Sequence, residues 1–190
     1  EQHVEKPHDN SLFSTFPLFQ HDHYALDFLC DYLRLLTLGA SNPHEIENIM
    51  DTELDVHHHD KAMVSGAMRN IGEAIPALGI VAAVLGVIVT MSSITEPPEV
   101  LGGLIGAALV GTFSGILVAY GFVLPMAGNL YAAYGAEHHY FVCMKMGLMG
   151  HMQGYAPQVS VEFARKILPD EYRPTFAELE EICANLPPPS

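Results

Sequence analysis

Positive charge is what this chain has least of. Eight Lys and Arg stand against 22 Asp and Glu, a net charge of −14 with histidine neutral. That balance disfavours nucleic acid or an anionic surface as the partner of the polar parts, and points to a basic or polar protein surface. Cysteine is also sparse: Cys30, Cys143 and Cys183 are widely spaced and form no C-x-x-C. Neither a disulfide framework nor a zinc site is indicated, and the polar segments suit a reducing compartment. No G-x-G-x-x-G, phosphate loop or nucleophile motif occurs, so neither an enzyme nor a cofactor is expected. The opening EQHVEKP has no n-region or h-region, and no signal peptide is expected in it.

The most informative absence is local. No Lys or Arg lies between Arg69 and Lys145, and between Glu73 and Glu137 the only formal charges are Glu96 and Glu99. As a helix, the uncharged run 74–95 covers roughly 33 Å, enough for a bilayer core of about 30 Å. A second uncharged run, 100–136, is expected to span near 101–123 and to continue as a helix beyond Pro125. TEPPEV between them reads as a tight external turn. The expected order is a cytoplasmic helical region at 1–73, a transmembrane helix at 74–95 and a periplasmic turn at 96–100. A second transmembrane helix at 101–124 and a cytoplasmic extension with C-terminal helices at 125–190 complete it. All Lys and Arg flank the hairpin on the side of the chain ends, which by the positive-inside rule places both ends in the cytoplasm. The fold class is therefore an all-α integral membrane protein, a hairpin of two spans with amphipathic cytoplasmic helices on both sides. The competing reading is a soluble helical hairpin buried in a large core.

Before the hairpin, HYALDFLCDYLRLLTLG places Leu26, Leu29, Cys30, Leu33 and Thr37 on one helical face and Asp27, Asp31 and Arg34 on another. Gly39 ends that helix. Asn42, Pro43 and Glu45 then supply an N-cap, a proline at N1 and an acid at N3 for a second helix through IENIMDTELDVHHHD. After the hairpin the helix continues to Gly154 and Pro157, SVEFARKIL follows, and Thr175 with Glu178 forms a capping box for ELEEICANL. The last PPPS reads as a frayed tail.

Within the second span Gly103, Ala107, Gly111, Gly115 and Ala119 recur at intervals of four, a ridge that lets helix backbones approach closely in lipid. It serves packing against the hairpin partner, where Gly79, Ala82 and Gly86 are also small, or packing in an oligomer, or both. Thr112 and Ser114 lie mid-span, and Thr90 and Ser92 near the outer end of the first span. Such hydroxyls either bond back to their own helix or line an ion path, and periodicity does not decide. Pro76 reads as starting the first span, whereas Pro125, set between apolar residues of a continuing helix, predicts a kink. Histidines at 21 and 23, 57–59 and 138–139 suggest metal, and Glu53 and His57 are one turn apart. Consecutive histidines point around a helix rather than converging, so solvated histidines beside carboxylates are the preferred reading and no metal is assigned. Asp27 and Asp31 read as a solvated face paired with Arg34.

The run PALGIVAAVLGVIVT, followed by PPEVLGGLIGAALVGTFSGILVAYGFVLP, resembles the MotA family of flagellar stator subunits, as do LDFLCDYLRL and GYAPQVSVEFARKILPDEYRPTFAELEE. The resemblance covers essentially the whole chain but begins after the family's second span, which implies that two N-terminal spans are missing here. It implies a homo-oligomeric ring around a dimeric single-span partner, MotB, that supplies a membrane aspartate, with ion flow converted to torque on the rotor protein FliG. Pro76 and Pro125 match the family's two boundary prolines, implicated in coupling ion passage to movement. Thr112 matches the threonine beside the partner's aspartate. Ala83 falls where sodium-driven relatives carry threonine, which favours protons, and Glu1 and Glu53 match acidic positions implicated in rotor contact. Neither span holds an Asp, Glu, His, Lys or Arg, so a carrying carboxylate must come from another subunit. The implied place is the bacterial inner membrane, among lipid and with no nucleic acid. The alternatives are an ExbB- or TolQ-like energiser of another envelope machine and a non-conducting membrane scaffold.

Overall fold

The computed structural model describes residues 2–5, 12–40 and 42–186. Among them every regular element is helical: α1 Gln2–Glu5, a 3-10 turn Leu12–Thr15, α2 Pro17–His21, α3 His23–Thr37, α4 Pro43–Ser92 and α5 Pro98–Val118. A π turn Ala119–Val123 follows, then α6 Leu124–Met152, α7 Pro157–Ile167 and α8 Phe176–Ala184. Glu1 and the PPPS tail lie outside the described residues. The chain divides into two compact units, Glu1–Val56 with Ala136–Ser190, and His57–Gly135.

Local chemistry sets the helix ends. The Asp22 side chain accepts the Ala25 N–H at 3.1 Å and so opens α3. Gly39 closes it at φ +92°, a backbone region that only glycine enters freely. Asn42 accepts from the His44 N–H at 3.2 Å and donates to Glu45 at 2.9 Å. At α8 the expected capping box is present: Thr175 accepts the Glu178 N–H at 3.3 Å, and Glu178 accepts the Thr175 N–H at 2.7 Å.

The first unit is built around α3, which buries two faces rather than one. Leu26 and Cys30 pack with Phe13. Ala25, Phe28 and Tyr32 meet Ile46, Met50 and Leu54 of α4 and Phe141, Leu148 and Met149 of α6. Phe28 and Tyr32 each follow an acid, which hides this second face from a single-stripe reading. Thr37, expected on the apolar face, is exposed and donates to the Arg34 carbonyl at 2.8 Å. The Asp31–Arg34 pair lies on the solvated side at 3.2 Å. α7 crosses α6 closely enough that a Cβ on Gly150 would stand 2.9 Å from Ser160 Oγ.

In the second unit two expectations about proline change. Pro76 does not start a helix; it lies inside α4. A proline ring leaves the Gly72 carbonyl without its usual donor, but residues on both sides of it are packed. A Cβ on Gly72 would meet Leu124 at 2.7 Å, and one on Gly79 would meet the Gly111 carbonyl at 3.0 Å. Tertiary contact therefore carries the helix through. At Pro125 the disturbance takes the form of the π turn just before it, where the Leu124 N–H bonds to the Ala119 carbonyl. The wide turn adjusts the backbone ahead of the residue that cannot donate.

α4 and the α5–α6 run are each long and apolar enough to cross a membrane. Leu78 and Phe113 are 67% and 66% exposed. A soluble core helix would cover such side chains, and a continuous apolar surface of this kind belongs in lipid.

Candidate functional site: the seam of the hairpin

Where the two spans meet, Gly72, Pro76, Gly79, Ala83, Gly86 and Thr90 of α4 are buried or half-buried. Their spacing alternates four and three, the 3.5-residue period of helices in near-parallel contact. Facing them are Leu104, Ala108, Gly111, Thr112, Gly115 and Ala119. The approach is close throughout: a Cβ on Gly115 would stand 3.2 Å from the Ile75 carbonyl and 3.3 Å from Gly79 Cα, and one on Gly86 would fall on the Ala108 methyl. Backbone therefore meets backbone, as small residues permit.

The ridge of every fourth residue is not the contact stripe. Four residues turn a helix of 3.6 residues per turn by roughly 40° beyond a full circle, so such a ridge drifts off any straight partner. Gly111, Gly115 and Ala119 lie on the seam, while Gly103 and Ala107 are exposed, Gly103 with open space around it. Ala108 takes the seam position that the ridge would give to Ala107.

Thr112 donates its hydroxyl to the Gly79 carbonyl at 3.3 Å. The bond crosses to the other span rather than returning to its own helix. Thr90 and Ser92 do bond back to their own helix, at the Gly86 carbonyl (2.8 Å) and the Val89 carbonyl (2.6 Å). Ala83 sits half-buried on the seam one turn from Gly79. Pro76 is half-buried and Pro125 exposed. The seam thus gathers Pro76, Ala83, Thr112, Gly111, Gly115 and Ala119, and its polar groups are the hydroxyls of Thr112 and Thr90 and main-chain carbonyls. Such a surface can orient water or a cation but can hold no proton of its own.

Glu53 belongs to the other unit. It is half-buried and accepts from Tyr32 Oη at 2.7 Å and from Tyr24 Oη at 3.4 Å. Burial, and then the neighbouring carboxylate, pushes the Tyr24 phenol up to about 12 and the Tyr32 phenol higher still. Nearby, the buried Lys145 ammonium pairs with Asp51 at 2.5 Å and Glu47 at 3.5 Å. The sequence alone does not show these links; Lys145 and Asp51 lie 94 residues apart. Among the described residues no three His, Cys, Asp or Glu converge as metal ligands would.

A model of the MotA/TolQ/ExbB proton channel family matches residues 21–141. Motility protein A of Escherichia coli (strain K12) is 41% identical over 181 residues, which cover 95% of this chain and 61% of that protein. Chemotaxis protein LafT of Vibrio parahaemolyticus is 30% identical over 184 residues, covering 97% of this chain and 65% of LafT. The chain thus spans about three fifths of the length of these relatives. A solved structure of C. jejuni MotAB superposes with TM-score 0.72 at 19% identity, covering 92% of this chain and 67% of that one. At that identity the likeness concerns the fold: an all-helical chain with two long apolar helices.

Proposed function

This chain belongs to the MotA/TolQ/ExbB proton channel family, and from that premise we propose that it is a stator subunit of the bacterial flagellar motor. It sits in the inner membrane with both ends of the chain cytoplasmic, the arrangement favoured by cations that all lie outside residues 70–144. Copies form a ring around a single-span MotB-like partner, and protons pass between ring and partner. Relatives carrying the name Motility protein A support the motor over another envelope machine.

The observation that carries this reading is the seam. It offers a hydroxyl at Thr112 and the Gly79 carbonyl, with no Asp, Glu, His, Lys or Arg in either span. A proton crossing such a path needs a carboxylate from elsewhere, and the partner's membrane aspartate supplies it. Ala83, with no hydroxyl to coordinate sodium, favours protons as the coupling ion. Each proton crossing 100 mV releases about 2.3 kcal/mol, enough to bias a bend at the π turn and Pro125, with Pro76 as the matching hinge of the first span. The rotor protein FliG is engaged through the acidic cytoplasmic region, to which Glu1 and Glu53 belong. Glu53, through its two tyrosines, also fixes α3 against α4.

The full-length protein co-expressed with its partner should conduct protons across the membrane, and replacing the partner's membrane aspartate with asparagine should abolish the flux. A pair that associates but conducts nothing would make the chain a scaffold. Normal swimming after deletion of the gene would assign it to another envelope machine.

A further inference from the structure

Seven of the eight Lys and Arg fall in the described residues, and six of them are engaged. Arg34 pairs with Asp31, Lys145 with Asp51 and Glu47, Arg165 and Lys166 with Glu162, and Arg173 with Asp170. Lys61 stands 5.3 Å over the Tyr134 ring. Arg69 alone among the described cations makes no hydrogen bond, ion pair or ring contact. Glu73, one turn further along α4, is exposed and does not pair with it. A cation four residues ahead of an acid is the less favourable order for a helical pair.

Arg69 lines an open cleft of about 360 Å³ between α4 and α6, with Ala62, Ser65, Gly66, Ala127 and Tyr131. Three of these residues are alanine or glycine, which leaves the cleft wide. The Ser65 hydroxyl is already donated to the Ala62 carbonyl at 2.9 Å. The free donors are therefore the Arg69 guanidinium and the Tyr131 phenol, both of which suit an anion and especially a phosphate. Arg69 precedes the uncharged run by five residues, roughly 7.5 Å along a helix. The headgroup layer on each side of a bilayer is about 5–7 Å deep. An unpaired guanidinium is thus held at the depth of lipid phosphates, in a chain whose net charge of −14 otherwise repels anions.

We propose that this cleft binds the phosphate of an anionic phospholipid headgroup, with Arg69 as the ionic anchor and Tyr131 as a second donor. The site fixes the depth of the hairpin in the leaflet next to the chain ends. It requires only that α4 and α5 span the membrane, so its failure would leave ion conduction untouched.

Native mass spectrometry of the full-length protein, exchanged into phosphatidylglycerol or phosphatidylcholine, reads the binding directly. Wild type should retain phosphatidylglycerol over phosphatidylcholine, and Arg69→Gln should lose about fivefold of that preference, the scale of one cation near an anionic surface. Arg69→Lys should keep most of it, Tyr131→Phe should lose part, and Lys166→Gln, which removes an exposed cation elsewhere, should lose none. Equal retention by wild type and Arg69→Gln would overturn the proposal, as would equal losses from Arg69→Gln and Lys166→Gln. Thermal shifts in phosphatidylcholine nanodiscs with added inorganic phosphate identify the source of the anion. Stabilisation there equal to that by phosphatidylglycerol would make the ligand a free ion and overturn the lipid assignment.

Discussion

Thr112 reaches across the hairpin to Gly79, hydroxyl to main-chain carbonyl, at 3.3 Å. The carbonyl lies inside an unbroken helix, so the hydroxyl adds to a helical bond rather than replacing one. Thr112→Val keeps the shape and removes the donor, at a stability cost of about 0.6 kcal/mol, the average for such bonds in membranes. Proton flux through the full-length pair should fall while membrane insertion is unchanged, and Thr112→Ser should restore flux. Full flux from the valine variant would remove Thr112 from the path.

The split of the small residues between two faces separates hairpin packing from assembly. Gly86→Val puts a branched side chain onto Ala108 and should destabilise the hairpin by about 1–3 kcal/mol, the usual cost of overpacking. Gly103→Val meets open space and should leave hairpin stability unchanged. Unfolding in mild detergent measures the first effect. Chromatographic size of the assembled ring measures whether the exposed face of α5 packs against a neighbouring copy, in which case Gly103→Val shrinks it.

Pro125→Ala supplies the missing N–H and lets the helix close normally over the π turn. We expect flux to persist at reduced coupling, with torque per proton falling more than conductance. Tethered-cell rotation measured beside proton flux provides the ratio, and an unchanged ratio would leave Pro125 without a coupling role.

The tyrosines on Glu53 give the cytoplasmic unit an alkaline limit. A phenol whose folded pKa is raised above its unfolded value stabilises the fold below the unfolded value and ceases to do so as pH rises through the folded one. For Tyr24 that window runs from the ordinary 10.0 to about 12. Stability should therefore decline above pH 10, and Tyr32→Phe should flatten the decline. The same substitution should cost about 1.5 kcal/mol or more near neutrality, because Glu53 loses its shorter hydrogen bond. Denaturant titrations across the alkaline range test both halves.

Lys145 makes the response to charge removal asymmetric. Its ammonium is buried, whereas Asp51 and Glu47 are 54% and 39% exposed. Lys145→Met leaves two carboxylates that water can reach and should cost under about 1 kcal/mol. The double change Asp51→Asn with Glu47→Gln strands a buried cation and should cost about 3–5 kcal/mol. Similar losses from both would place the ion pair in water rather than in the core.

The two spans, the turn between them, the caps at Asn42 and Thr175 and the stop at Gly39 were all legible in the sequence. Each depends on charge, period or backbone chemistry within a few residues. What escaped depended on a partner helix. Phe28 and Tyr32 look like interruptions of a polar face until α4 and α6 cover them. Pro76 looks like a boundary until Gly72 and Gly79 are seen packed on either side. The regular four-residue spacing from Gly103 to Ala119 drew attention from the less regular positions Ala108 and Thr112, which a 3.5-residue count would have found. Ala83, Gly111 and Gly115 fall on the seam by either count.

The π turn at Ala119–Val123 acts as a phase shifter. One residue beyond a normal turn advances everything after it by roughly 100°. That advance turns Leu124 toward Gly72 and brings Ala127 and Tyr131 to the wall opposite Arg69. Beyond the buried Ala119, the stretch should accordingly accept many substitutions but no change of length. Removing a single residue from it would leave every other side chain present and unwind the register that makes them neighbours.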